Sequence, residues 1–135
     1  MKTIFTTVVV LLFFVGFAWA EGVQVEELIK STSSWNDVSL PDYSQAETEV
    51  TVLKITVDPQ TSLPMHFHPV INVAYMLTGE LTVISDQGKR KIIKQGEALI
   101  ELVNQDHYGI NEGVEPVEIL VVYLGEKGQP ITVKK

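Results

Sequence analysis

Beyond residue 48 the chain is a succession of short apolar runs, each cut off by a turn signal. Residues 50–57 (VTVLKITV) are dense in β-branched side chains, which fit a pleated surface, and the run stops at Asp58-Pro59. Residues 70–77 form the next run, closed by Thr78-Gly79. Residues 81–84 and 91–93 flank Ser85-Asp86-Gln87-Gly88, a polar, glycine-ended segment that predicts a hairpin loop. Gln95-Gly96 turns the chain into residues 98–103, and a polar stretch with Gly113 and Pro116 precedes residues 117–124. A last short run, residues 131–133, follows Pro130. About seven short strands with no helical periodicity between them predict an all-β domain, a sandwich or barrel.

The start of the chain has a different pattern. Residues 1–20 hold one charge, Lys2, then an apolar run over 8–17, then Ala18-Trp19-Ala20. A basic start, a short apolar stretch and small residues before a cut predict a secretory signal peptide, with Glu21 opening the mature chain. The run is shorter than the roughly 20 residues that a membrane span needs, so no stable membrane insertion is expected after cleavage. Residues 21–45 mix polar and apolar positions: Val25, Leu28 and Ile29 fit a short helical turn or a strand, and the serines at 31, 33 and 34 read as a loop. The expected organisation is a leader over 1–20, an N-terminal arm over 21–45 and one domain over 46–135. The protein is expected to be exported, to the periplasm or the extracellular space.

Composition narrows the chemistry. The 135 residues contain no cysteine, which excludes a disulfide framework, a thiolate metal site and a cysteine nucleophile. A formal net charge of −7 disfavours a nucleic-acid partner. No phosphate-cradling glycine loop or dinucleotide fingerprint is present. All three histidines, His66, His68 and His107, fall in the β region. In a strand the spacing of His66 and His68 puts both rings on one face, and Asn72 has the same parity. Converging imidazoles are good ligands for divalent first-row metals. The competing reading is a pair of exposed strand histidines beside a proline.

Two longer patterns contain these histidines. His66-Phe67-His68, three residues, Asn72, six residues and Gly79 resemble the first motif of the cupin superfamily, G-X5-H-X-H-X3,4-E-X6-G. Gly96, five residues, Leu102, one residue, Asn104, two residues, His107, three residues and Asn111 resemble the second, G-X5-P-X-G-X2-H-X3-N. The departures are Gln60 for the first glycine, Asn72 for glutamate, Leu102 for proline and Asn104 for glycine. The resemblance covers nearly all of residues 50–133, and the chain is similar to small exported bacterial single-domain cupins.

The resemblance implies a single-domain β-barrel of jelly-roll (double-stranded β-helix) form, preceded by a short arm, with a metal near one mouth. His66, His68 and His107 take the places of the three histidine ligands. Asn72 takes the place of the glutamate, and a neutral amide oxygen is a far weaker donor, so it is expected to be a weak fourth ligand or a hydrogen-bond partner of bound water. The metal would be Fe, Mn, Ni, Zn or Cu, and a homodimer is the assembly implied.

Three further residues are candidates for catalysis. Glu101 interrupts an apolar run: pointing inward it would act as a general base, pointing outward it is an ordinary solvated acid. Tyr75 and Tyr108 would either donate hydrogen bonds to a substrate or serve as rim and packing residues. Phe67, Met65 and Met76 read as packing, Trp35 as a cap on the barrel, and residues 88–91 as a solvated hairpin tip.

The functions implied are a metal-dependent, dioxygenase-like enzyme acting on a small organic substrate, with a lyase or isomerase also open. The alternatives are a non-catalytic metal or small-ligand binding module and a dimerisation module with a vestigial site. The fold alone does not choose among them.

Overall fold

A computed structural model of the protein describes residues 24–135. The expected leader lies outside the described residues. Among the described residues nine strands follow one another: β1 (Thr48–Val57), β2 (His66–Phe67), β3 (Ile71–Thr78), β4 (Glu80–Ser85), β5 (Arg90–Lys94), β6 (Ala98–Ile100), β7 (His107–Ile110), β8 (Val117–Glu126) and β9 (Val133–Lys134). They form a four-stranded sheet of order β1-β8-β3-β6 and a five-stranded sheet of order β5-β4-β7-β2-β9. Every strand pairing within these sheets is antiparallel. The sheets face each other as a jelly roll; their hydrogen-bond ladders do not close into one continuous barrel.

The core follows from strand parity. On β8, Val117, Ile119, Val121 and Tyr123 are buried while the residues between them are half-exposed. On β3 the buried set is Asn72, Ala74 and Met76. These faces meet Leu81 and Val83 of β4 and Ile93 of β5 across the sandwich, so alternate residues of both sheets fill one core. The loop over 85–88 closes the β4–β5 hairpin as its composition predicts, with the Gly88 amide donating to Ser85 O at 2.9 Å.

The structure contains two strands that apolar patterning misses, β2 and β7. Both are short, and β7 (HYGI) has a polar residue, an aromatic and a glycine where a strand signal needs alternation. In the other direction, the apolar run over 98–103 is a strand only as far as Ile100. Residues 24–30 form neither the helical turn nor the strand that Val25, Leu28 and Ile29 allowed, and those side chains are exposed.

The arm does pack on the domain. Ser33 and Ser39 form an isolated bridge, and the Trp35 amide donates to Ile100 O at 3.1 Å, covering the free edge of β6. The Trp35 ring packs against the core.

Two positions where the resemblance motifs carry glycine are instead Gln60 and Asn104, and both hold φ of +55°. The left-handed turn is thus retained without glycine. Asn tolerates that region among non-glycine residues. Gln60 anchors its turn by donating Nε2 to Glu112 O at 2.7 Å and Gly113 O at 2.8 Å.

Candidate metal centre

His66 on β2 pairs directly with His107 on β7, which puts their rings side by side on the inner face. His68 lies two residues on with the same parity, just beyond β2, where its backbone bridges Val103. The three ring centroids stand 4.7–5.0 Å apart. All three side chains are buried, His107 to within 1% exposure.

Backbone carbonyls set the tautomer of each ring. His66 Nδ1 donates to Pro64 O at 2.7 Å, His68 Nδ1 to Ile131 O at 2.8 Å and His107 Nδ1 to Gln105 O at 2.8 Å. A carbonyl only accepts, so Nδ1 carries the proton and the neutral ring presents its lone pair at Nε2. One ligand atom from each ring lies within 4.8 Å of the others. This outward anchoring of Nδ1 with inward Nε2 is the arrangement that orients histidine ligands on a metal. With nitrogen and oxygen donors and no thiolate, the set suits a divalent first-row metal.

Glu101 points inward. Its Oε2 lies 3.2 Å from His107 Nε2 and 3.3 Å from His68 Nε2, and its side chain is 13% exposed. Burial works to raise its carboxyl pKa, but His107 and His68, which donate to it from Nε2 only when their rings take up a second proton and a positive charge, outweigh burial and hold the group well below the usual carboxylate range. Burial works to lower the pKa of His107, and the hydrogen bond and charge of Glu101 turn the net shift upward. For His66 burial dominates and the pKa falls, which favours the neutral ligand form.

The remaining sequence candidates sit elsewhere. Asn72 is fully buried on the inner face of β3, opposite Tyr123 of β8, but it does not line the cavity at the histidines. Neither atom of its amide has a hydrogen-bond partner among the described residues. Tyr75 alternates with the inward Ala74 and Met76, and Tyr108 with the inward His107 and Gly109; neither tyrosine lines the cavity. Met76 is a core residue, and Phe67 is half-buried with Lys135 Nζ 5.8 Å from its ring centre.

Tyr123 is the residue that sequence reasoning passed over. Its ring lies 5.4 Å from that of His68 and it lines the same cavity. Burial and the nearby Glu101 charge push its phenol up to about 12, so it remains a proton-bearing donor. Burial alternates along β8 and places it inside, but residues 119–123 (ILVVY) are apolar on both faces, so the sequence alone carries no such signal.

The cavity has a volume of about 240 Å³. The three histidines, Glu101, Tyr123, Thr132 and Lys134 are its polar lining, and Leu63, Ala74, Leu81, Val83, Ile119 and Val121 form apolar wall.

A family model described as the cupin domain matches residues 53–123. No curated protein matches the chain in sequence. Among solved structures, an uncharacterized conserved protein with a double-stranded β-helix domain from Klebsiella pneumoniae is 17% identical, with a TM-score of 0.54 over 78% of this chain and 98% of that one. The polyketide cyclase RemF from Streptomyces resistomycificus is 25% identical, with a TM-score of 0.54 over 67% of this chain and 64% of that one. The DMSP lyase DddQ from Ruegeria pomeroyi is 16% identical, with a TM-score of 0.56 over 64% of this chain. The match takes in only 43% of that lyase. Low identity with a shared sandwich is a likeness of fold, not of reaction.

Proposed function

The chain belongs to the cupin family, and from that premise we propose that it is a metal-dependent, dioxygenase-like enzyme of the cell envelope acting on a small, largely apolar organic molecule. The observation that carries this reading is one cavity with two ends. Three imidazole Nε2 atoms, oriented by carbonyl bonds to Nδ1, open onto an apolar chamber of about 240 Å³. That chamber is smaller than the roughly 300–1,000 Å³ of drug-sized sites and suits a single-ring or short enolic compound.

His66, His68 and His107 would hold the metal, one of Fe, Mn, Ni, Zn or Cu. Bound there, it would supply Lewis-acid polarisation or redox access to dioxygen. The protein contributes the rest. The apolar walls formed by Leu81, Val83 and Val121 would face the non-polar part of a bound molecule, and its binding would displace water from beside the polar lining. The Tyr123 phenol, still protonated at neutral pH, offers a hydrogen bond to a polar group on the substrate.

The envelope location rests on the leader-like pattern of residues 1–20. Among the described residues no helix is long and apolar enough to cross a membrane. Pairing of two copies is supported by exposed Val50, Val52 and Leu53 on β1, an edge strand of the four-stranded sheet among the described residues.

The test is oxygen uptake and product analysis with metal-reloaded protein and a panel of catechols, flavonols and small enols. The reading expects metal-dependent consumption of at least one compound, abolished by a chelator and in His107→Ala. Reloaded protein that neither binds nor turns over any of them would favour the non-catalytic metal-binding module instead.

A further inference from the structure

We propose that Glu101, delivered from the residue just past the end of β6, beside β3, supplies the carboxylate ligand of the metal centre that position 72 lacks. This rests on the metal-centre reading above and concerns which strand provides the fourth protein donor.

The first observation is the convergence of acceptors. Glu101 Oε2 lies 3.2 Å from His107 Nε2 and 3.3 Å from His68 Nε2. Both rings donate Nδ1 to backbone carbonyls, so in their neutral form, the one that binds metal, two nitrogen lone pairs and a carboxylate oxygen face one another. Such an arrangement is completed by a cation between the three. Its spacing also fits: with metal–donor bonds of about 2.1 Å, adjacent donors stand about 3.0 Å apart in an octahedral shell and about 3.4 Å in a tetrahedral one. One oxygen at that separation from two ligand nitrogens has the position of a third donor on the same shell.

The second observation is register. Val73 pairs with Ile100, which places Asn72 opposite Glu101, and the Glu101 amide donates to Asn72 O at 3.2 Å. The register of β3 and β6 thus continues one residue past the end of β6, and the two side chains leave the same face. The short amide of Asn72 is fully buried and lines no part of the cavity, whereas the longer Glu101 reaches the histidines.

The third observation is support. On its other side Glu101 is held through its carbonyl, which accepts from Ser34 Oγ at 2.8 Å, while the Trp35 amide bonds the carbonyl of Ile100. The arm thus fixes the backbone that carries the ligand, as a preorganised site requires.

The experiment is a Co²⁺ titration of metal-free protein, read by calorimetry and by the d–d absorption of the bound ion. The variants are Glu101→Gln, which keeps the shape and removes the charge, and Asn72→Ala. The parent is expected to bind about one equivalent. Glu101→Gln should bind more weakly by about 100-fold or more, beyond the usual loss from an outer-shell partner, with a changed absorption spectrum. Asn72→Ala should stay within about threefold of the parent. If the amide variant does not fold, Glu101→Asp withdraws the oxygen by one methylene and should also weaken binding and alter the spectrum. A folded Glu101 variant with the parent's affinity and spectrum would overturn the ligand assignment, as a free general base there predicts, and leave the metal centre standing. A parent that binds no Co²⁺ would overturn both.

Discussion

Asn111 shows how much one buried amide organises here. Its Nδ2 donates to Val57 O, Asp58 O and Glu115 O at 2.8–3.1 Å, and its Oδ1 accepts from the Gly113 amide at 2.9 Å. The side chain is fully buried, so water cannot replace these bonds. Asn111→Ala should cost about 3 kcal/mol in urea unfolding, because it strands several carbonyls in the interior. A loss below about 0.5 kcal/mol would show that the loops relax to new partners. Asn111 was legible only as a motif position, since an asparagine in a polar stretch has no local signal of burial. Glu101 was undecidable for a different physical reason: residues 98–103 are apolar on both faces, so a period of two gives no inside. Asn72 was placed on the correct face by parity, but parity says nothing of depth, and its amide stops short of the cavity.

At the scale of elements, the informative one is β6, three residues long and paired on one side only with β3. Its other edge is covered by the arm through Trp35 N, and Ser34 Oγ holds the carbonyl of Glu101 just past its end, so a segment outside the core fixes the backbone that carries Glu101. Trp35→Ala should lower stability by about 2 kcal/mol, less than for a fully buried ring, and should weaken metal binding by roughly tenfold by loosening Glu101. Unfolding and Co²⁺ titration of the same sample check both effects, and an unchanged affinity would detach the arm from the site. The long strands β1, β3 and β8 were readable because β-branched runs end at clear turns. The strands that carry two of the three histidines, β2 and β7, were not: each is short and takes its place from pairing with a partner distant in sequence.

For the molecule as a whole, two sheets enclose one core, and that core changes from apolar to imidazole-lined at one end of its cavity. The all-β class and the three histidines were legible from turns and spacing, whereas the meeting of His68, His107 and Glu101 depends on tertiary register. With no cysteine in the chain, any metal must be held by nitrogen and oxygen. The most direct test of the centre is elemental analysis of the purified protein after reloading with a divalent first-row metal and removal of excess. About one equivalent per chain in the parent, with tight binding lost in a folded His107→Ala, is the predicted result. Less than about a tenth of an equivalent in the parent would contradict it.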